Sequence, residues 1–125
     1  MSITSEELEN IMSYATGTES YTRYGIVNKI LLTDGVVTFA EKAGCFWFLD
    51  ELTISLLPKA IKKEQEETFF AIKLKVKNEK ARIVITDGNE NVLVEKRIAY
   101  TDCPNGDWKF YYDKQSNVML YYLEY

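Results

Sequence analysis

Apolar positions recur at two different spacings along the chain, and the change of spacing divides it into a helical part and a strand part. Residues 4–13 predict a first helix: Leu8, Ile11 and Met12 form a stripe at spacings of three and four, Thr4 or Ser5 serves as the cap, and Glu6, Glu7 and Glu9 sit where the helix dipole favours acids. This helix is expected to stop near Gly17. The segment TGTESYTRYG has no period and two turn signals, which predicts a loop anchored on the body by Tyr21 and Tyr24. Ile26 to Leu32 is too brief an apolar run to separate a short strand from a helical turn.

The largest share of core lies in TDGVVTFAEKAGCFWFLDELTISLL, residues 33–57. Val36, Phe39, Ala40 and Ala43 share one face of a helix that Thr33 or Asp34 can cap and Gly44 can end. A second helix follows at once, with Cys45, Phe48, Leu49, Leu52 and Leu56 as its stripe, Trp47 extending it, Asp50 and Glu51 on its flank, and Pro58 marking its end. Residues 60–68, AIKKEQEET, form a charged connection.

Beyond that connection the period is two. Phe70, Ile72, Leu74 and Val76 alternate with Ala71, Lys73, Lys75 and Lys77, so one face is buried and the other wet. After a tight turn at Asn78-Glu79, Ala81, Ile83 and Ile85 continue the inner face while Arg82, Val84 and Thr86 point outward. Asp87 to Asn91 is a second turn. Residues 92–100 make a third strand in which Lys96 falls on the apolar side, which predicts a bulge or strand end beside it. TDCPNGD turns again, Trp108, Phe110 and Tyr112 alternate inward, and VMLYYLEY runs as a last strand to Tyr125. The expected fold class is therefore α+β: one domain over residues 1–125, with N-terminal helices packed on one face of a five-stranded antiparallel meander.

Composition narrows the function classes. A chain of 125 residues that is 46% hydrophobic and 14% aromatic has the material for one folded core. The net charge of −4 gives no global cationic field to collect nucleic acid or anionic lipid, so such binding needs a local patch. No apolar run approaches the ~20 residues of a membrane span, and MSITSEELEN is acidic where a signal peptide is basic and then apolar. The expectation is a cytoplasmic protein without membrane contact. Two cysteines far apart, no histidine and no Cys-x-x-Cys pair predict buried free thiols and no zinc site.

Chemistry-bearing groups are few. Thr-Asp pairs at Thr33-Asp34, Thr86-Asp87 and Thr101-Asp102 could converge on a divalent cation, but aspartate in turns and caps is the residue's ordinary use, and no metal or other cofactor is assigned. Asp50 and Glu51 point about 100° apart on a helix and do not share a site easily. Cys45 and Cys103 have no histidine as a base, and nothing resembles a nucleophile elbow or a phosphate loop. No catalytic residue is assigned, and a non-enzymatic protein is expected. Alternation across the strands gathers Lys73, Lys75, Lys77, Arg82, Arg97 and Lys109 on the outer sheet face, with Tyr111, Tyr121, Val84, Met119 and Leu123 among them. Lysines that only solubilise a sheet explain part of this face. Single-stranded RNA or a protein partner explains the basic and aromatic mixture. The partner-binding residues assigned are Lys73, Lys75, Arg82, Arg97, Lys109, Tyr111 and Tyr121.

The run LLTDGVVTFAEKAGCFWFLDEL, the later DGN, YTDCP, a tyrosine-rich strand and a final LEY together resemble a family of small uncharacterised bacterial and phage proteins. That family, a domain of unknown function, shows T-D-G-V…A-G-x-x-W-L-L-D-E, then Y-T-D-F-P and an L-P-x-E-Y-like ending. The match extends from about Thr33 to Tyr125. Phe48 stands in the first Leu place after Trp47, Cys103 in the Phe place, and Tyr122 where the pattern has Pro. The resemblance implies an accessory protein of phages or mobile elements in the cytoplasm of a bacterial host. It further implies an inhibitor of host defence of the anti-CRISPR type, bound to a protein effector such as a CRISPR nuclease or its guide-RNA complex. An RNA-binding module on the lysine and tyrosine face is the alternative, and a hydrolase built on Asp34, Asp87 and Asp102 a third. Residues Tyr121 to Tyr125 of the last strand also offer a surface for a homodimer.

Overall fold

The three- and four-residue spacings become helices where expected. A computed structural model describes residues 3–26 and 29–125. Helix α1 (Ser5–Met12) opens on Thr4, whose hydroxyl accepts the Glu7 N–H at 3.1 Å while the Glu7 carboxylate reaches back to the Thr4 N–H at 3.3 Å, a reciprocal cap. Leu8 and Met12 are its buried stripe. Helix α2 (Asp34–Ala43) buries Val36, Phe39, Ala40 and Ala43 and ends at Gly44, whose φ of 66° is the left-handed conformation that favours glycine.

The next helix does not end at Pro58. Helix α3 (Phe46–Glu51) runs through a π-helical turn (Leu52–Leu56) into α4 (Leu57–Lys63). In that wider turn the Leu57 N–H reaches back to the Leu52 carbonyl, five residues away. Pro58 has no N–H to donate, so it sits directly after the one register in which the helix has already loosened, and the rod continues for another turn.

The sheet departs further from expectation. Among the described residues it has seven strands, not five, in the order β1-β2-β7-β6-β3-β4-β5, and it is mixed. The segment read as a loop contains β1 (Tyr21–Tyr24), antiparallel to β2 (Ile30–Thr33). Strand β1 is short, mostly exposed and without apolar alternation, so only the open edge of β2 calls it into the sheet. The ambiguous run from Ile26 resolves as strand from Ile30 onward; Val27 and Asn28 lie outside the described residues.

Strands β3 (Phe69–Lys77), β4 (Lys80–Thr86) and β5 (Val92–Ile98) do form a meander, joined at Asn78 and Glu79, which both have positive φ. Strand β6 (Gly106–Asp113) then crosses back to pair with β3, and β7 (Val118–Tyr121) pairs antiparallel with β6 and parallel with β2. The longest strand, β3, thereby gains a partner on each side, and every inner-face residue of β3 is enclosed.

Strand β5 keeps its register at Lys96, which pairs with Ile83 on the helical face and reaches Glu51 at 2.9 Å. The irregularity falls instead between Ile85 and Thr86, whose partners are Val94 and Val92, and the extra residue is the buried Leu93. A lysine on the apolar side of an edge strand is tolerated because its ammonium reaches past the core to a carboxylate.

One hydrophobic cluster joins the helices to the inner sheet face. Phe39 meets Trp108 and Phe110 at ring distances of 5.4 and 5.1 Å, and Phe48 meets Phe110 at 5.4 Å. Phe39, Phe48, Phe70 and Phe110 are fully buried, and each contributes about 1.5–3 kcal/mol of transfer free energy. Among the described residues no helix is long and apolar enough to cross a membrane.

Candidate functional site

With the helices collected on one side, the opposite face of β6, β3, β4 and β5 presents its side chains in rows set by strand pairing. The first row reads Asp107, Lys75, Arg82, Arg97; the second reads Lys109, Lys73, Val84, Glu95; the third reads Tyr111, Ala71, Thr86, Val92. Six of the seven residues assigned from the sequence are thus brought together: Lys73, Lys75, Arg82, Arg97, Lys109 and Tyr111.

Tyr121 is not among them. It pairs with Phe110, meets its ring edge to face at 5.5 Å and is only 5% exposed, as a member of the core. Met119 is likewise buried beside Tyr112 on the inner face, and Leu123 packs against the core from the turn that follows. VMLYYL is apolar at both parities, so alternation does not select a face; pairing with β6 does. Burial of Tyr121, followed by the charges of Tyr122 and Glu9, pushes its hydroxyl up to about 12. Val84 does stand on the outer face, yet it is 5% exposed and outside the core cluster. Its direct cross-strand neighbours are Lys73 and Glu95, long side chains whose stems are apolar.

The cations are arranged against electrostatic preference. Lys73 lies directly opposite Lys109, Lys75 opposite Arg82, and Arg82 opposite Arg97. Like charges directly across a ladder are destabilising. Glu95 pairs with two of them, 3.7 Å from Arg82 Nε and 3.8 Å from Arg97 Nε, and Asp107 lies opposite Lys75, while among the described residues the buried Nε of Arg82 has no hydrogen-bond partner. Depressions of 230, 280 and 230 Å³ on this face all include Lys73 among their walls. At the end of the face a cleft of 970 Å³ is lined by Lys75, Lys77, Lys80, Arg82 and Arg97, with Asp107 as its carboxylate.

Two residues of the face escaped the sequence reading. Phe69, Tyr111 and Tyr125 form a triangle of rings with centroids 5.0, 5.3 and 5.5 Å apart, and Lys109 Nζ stands 5.5 Å from the Tyr111 ring. Phe69 was legible, because it shares the parity of Ala71 and Lys73. Tyr125, 84% exposed, was not, since the last strand stops at Tyr121 and a 3₁₀ turn (Tyr122–Glu124) carries the terminus back over the sheet.

The other candidates serve the fold. Asp34 accepts the Glu19 N–H at 2.9 Å and the Ser20 hydroxyl at 2.8 Å, which hold its carboxyl below the usual range. Asp87 accepts from the Asn91 side chain at 3.0 Å and from the N–H groups of Asn91 and Asn89, with the same effect. Among the described residues no group of three or more His, Cys, Asp or Glu side chains is placed to hold a metal ion. Asp50 accepts the Tyr24 hydroxyl at 2.6 Å, and Glu51 pairs with Lys96. Cys45 and Cys103 are buried free thiols brought together by the fold; a hydrogen bond with Cys103, then burial, raises the Cys45 thiol far out of the reactive range.

The last strand is also no edge. Strand β7 is paired on both sides, by β6 and β2. The edges are β1 and β5, and β5 carries Glu95, Lys96 and Arg97, charges that discourage strand addition.

A family model described as "Family of unknown function (DUF6876)" matches residues 6–125. The chain belongs to this family. The match spans both the helices and every strand of the sheet, so the outer face and the core that supports it lie within the family's extent. Neither a curated protein nor a solved structure matches the chain.

Proposed function

We propose that this protein is a non-enzymatic binding protein that acts by laying its outer sheet face on an acidic surface of a protein partner in the bacterial cytoplasm. The observation that carries the proposal is the set of directly opposed cations, Lys73 with Lys109, Lys75 with Arg82 and Arg82 with Arg97, on the face opposite the core. Such pairs cost stability in the isolated chain, and local violations of folding preference are kept where they serve a site. An acidic partner surface relieves them. The neighbouring rings of Phe69, Tyr111 and Tyr125 supply the aromatic anchors that interfaces favour.

The partner we propose is an effector of bacterial defence, a CRISPR nuclease or its guide-RNA complex, held and inhibited by a phage or mobile-element protein. Support for that identity comes from the resemblance described above, and support for the binding face comes from charge. Co-purification of the tagged protein from bacterial hosts tests both. A stable nuclease complex that is lost with Lys73→Glu/Lys109→Glu is expected; recovery of no stable protein partner overturns the proposal.

The aromatic triangle beside Lys109 favours a second reading, single-stranded RNA with bases stacked on Tyr111 and Tyr125 and phosphates on the lysines. It predicts affinity for a short single-stranded RNA that falls steeply with salt and is lost in Lys75→Glu. Salt-insensitive or absent binding removes this reading and leaves the first intact.

A further inference from the structure

A separate groove of about 720 Å³ opens on the helical side of the sheet, between α4 and the ends of β2, β6 and β7. Its volume lies within the ~300–1,000 Å³ of small-molecule sites. The wall contributed by the helical rod is shaped by the π turn, which lets Pro58 sit within the rod and turns Leu57, Pro58 and Ile61 toward the opening. Together with Ile30 these residues make an apolar floor, in which Ile30 and Leu57 are buried.

One end of the groove is polar and held in place. The Tyr112 hydroxyl donates to Asn117 Oδ1 at 2.6 Å, and Asn117 Nδ2 donates to the Lys29 carbonyl at 2.8 Å. Lys29, Lys62 and Lys114 stand around the rim, and among the described residues no carboxylate lines the groove. Lys114 is directed by a hydrogen bond from Nζ to the Gln65 carbonyl at 2.9 Å. Among the described residues none of the three ammonium groups forms an ion pair.

We infer that this groove binds a small amphipathic anion: an apolar chain or ring on Ile30, Leu57 and Ile61, and a single carboxylate or phosphate between Lys62 and Lys114. A purely apolar ligand would leave three lysines gathered without a counter-charge. A polyanion would leave the apolar floor unused. The combination selects a ligand with both parts, and the site lies on the side of the sheet away from Lys73 and Lys109, so it stands independently of the proposed partner face.

Decanoate, decyl phosphate and the cationic decyltrimethylammonium, each below its micelle concentration, are the probes. Calorimetry is expected to show saturable one-to-one binding of at least one anion, weakened about tenfold or more in Lys62→Glu and further in Lys62→Glu/Lys114→Glu. Whichever anion binds tighter names the head group. Lys73→Glu/Lys109→Glu is expected to bind like the parent protein, which separates this site from the outer face. Lys62 is exposed on α4, so its variant tests the site without testing the fold. Equal binding of the cationic probe, absence of saturation, or full affinity in Lys62→Glu/Lys114→Glu overturns the inference.

Discussion

The Glu124 carboxylate accepts the Gly35 N–H at 3.1 Å, closing the N-terminus of α2 from the far end of the chain. The same carboxylate accepts the Thr33 hydroxyl at 2.6 Å and the Tyr121 N–H at 2.8 Å. Thr33 occupies the cap position but makes no cap with its own side chain. A Cβ at residue 35 would stand 2.5 Å from Glu124 Oε1, so the carboxylate would have to swing away from the helix end. Gly35→Ala and Glu124→Ala are each expected to destabilise the protein by about 1 kcal/mol, the value of a helix cap. Since both remove the same contact, the double variant should cost less than the sum, as read by urea unfolding.

Relief of charge on the outer face should separate stability from binding. Lys73→Thr removes the repulsion with Lys109 and places a β-branched residue in β3. Unfolding free energy is expected to rise by about 0.2–1 kcal/mol. Binding to the acidic partner should weaken in the same variant, and urea unfolding beside the co-purification assay reads both.

The two tyrosines first assigned to one surface should respond differently to truncation. Tyr121→Ala empties a core position between Phe110 and Tyr122 and is expected to cost about 3–5 kcal/mol, enough to leave little folded protein. Tyr111→Ala removes ring contacts with Phe69 and Tyr125 and should cost about 1 kcal/mol. The shift in denaturation midpoint measures each.

Acid should act through Asp34 and Asp87. Both carboxyls titrate below their ordinary 3.8 in the folded state, so on acidification the unfolded chain takes up protons first. The stability they supply is present above pH 3.8 and is lost as pH falls through that value and then through the folded values. Asp34→Asn/Asp87→Asn is expected to be less stable at neutral pH and to show a flatter fall in acid, followed by urea unfolding at stepped pH.

Alkali should act through Tyr24 and Tyr121, whose hydroxyls are both raised to about 12, each chiefly by burial; for Tyr24 the hydrogen bond to Asp50 adds to it. A raised folded value means that the folded state holds its proton longer, so stability present below pH 10 is lost as pH climbs from 10 to 12. Phenolate absorbance should show a late-ionising class of tyrosines in the folded protein, reduced in Tyr24→Phe.

Local chemistry reached a definite part of this molecule. Spacing and caps placed α1, α2 and the start of α3, because the N-terminal cap at Thr4, the glycine stop at Gly44 and a stripe such as Val36, Phe39 and Ala40 act over a single turn. Alternation placed the inner faces of β3 and β6, each with one apolar and one wetter parity, and of β4, where Ala81, Ile83 and Ile85 share a side although Val84 and Thr86 on the other side are buried as well. The outward facing of Lys73, Lys75, Arg82, Arg97 and Lys109 followed from the same alternation, but which of them stand opposite one another did not.

Long-range pairing settled the rest. Nothing within β6 says that it returns to β3 instead of following β5; the choice comes from burying both edges of the longest apolar strand. The parity of β7 depends on its register with β6, because its residues are apolar on both sides. Strand β1 exists because β2 leaves an edge, and α2 is capped by Glu124, 89 residues from Gly35. A chain specifies locally whatever repeats within a turn or a strand. Strand order, facing and distant caps are set by which arrangement leaves the fewest apolar surfaces and backbone groups unmet, and that is a property of the whole fold.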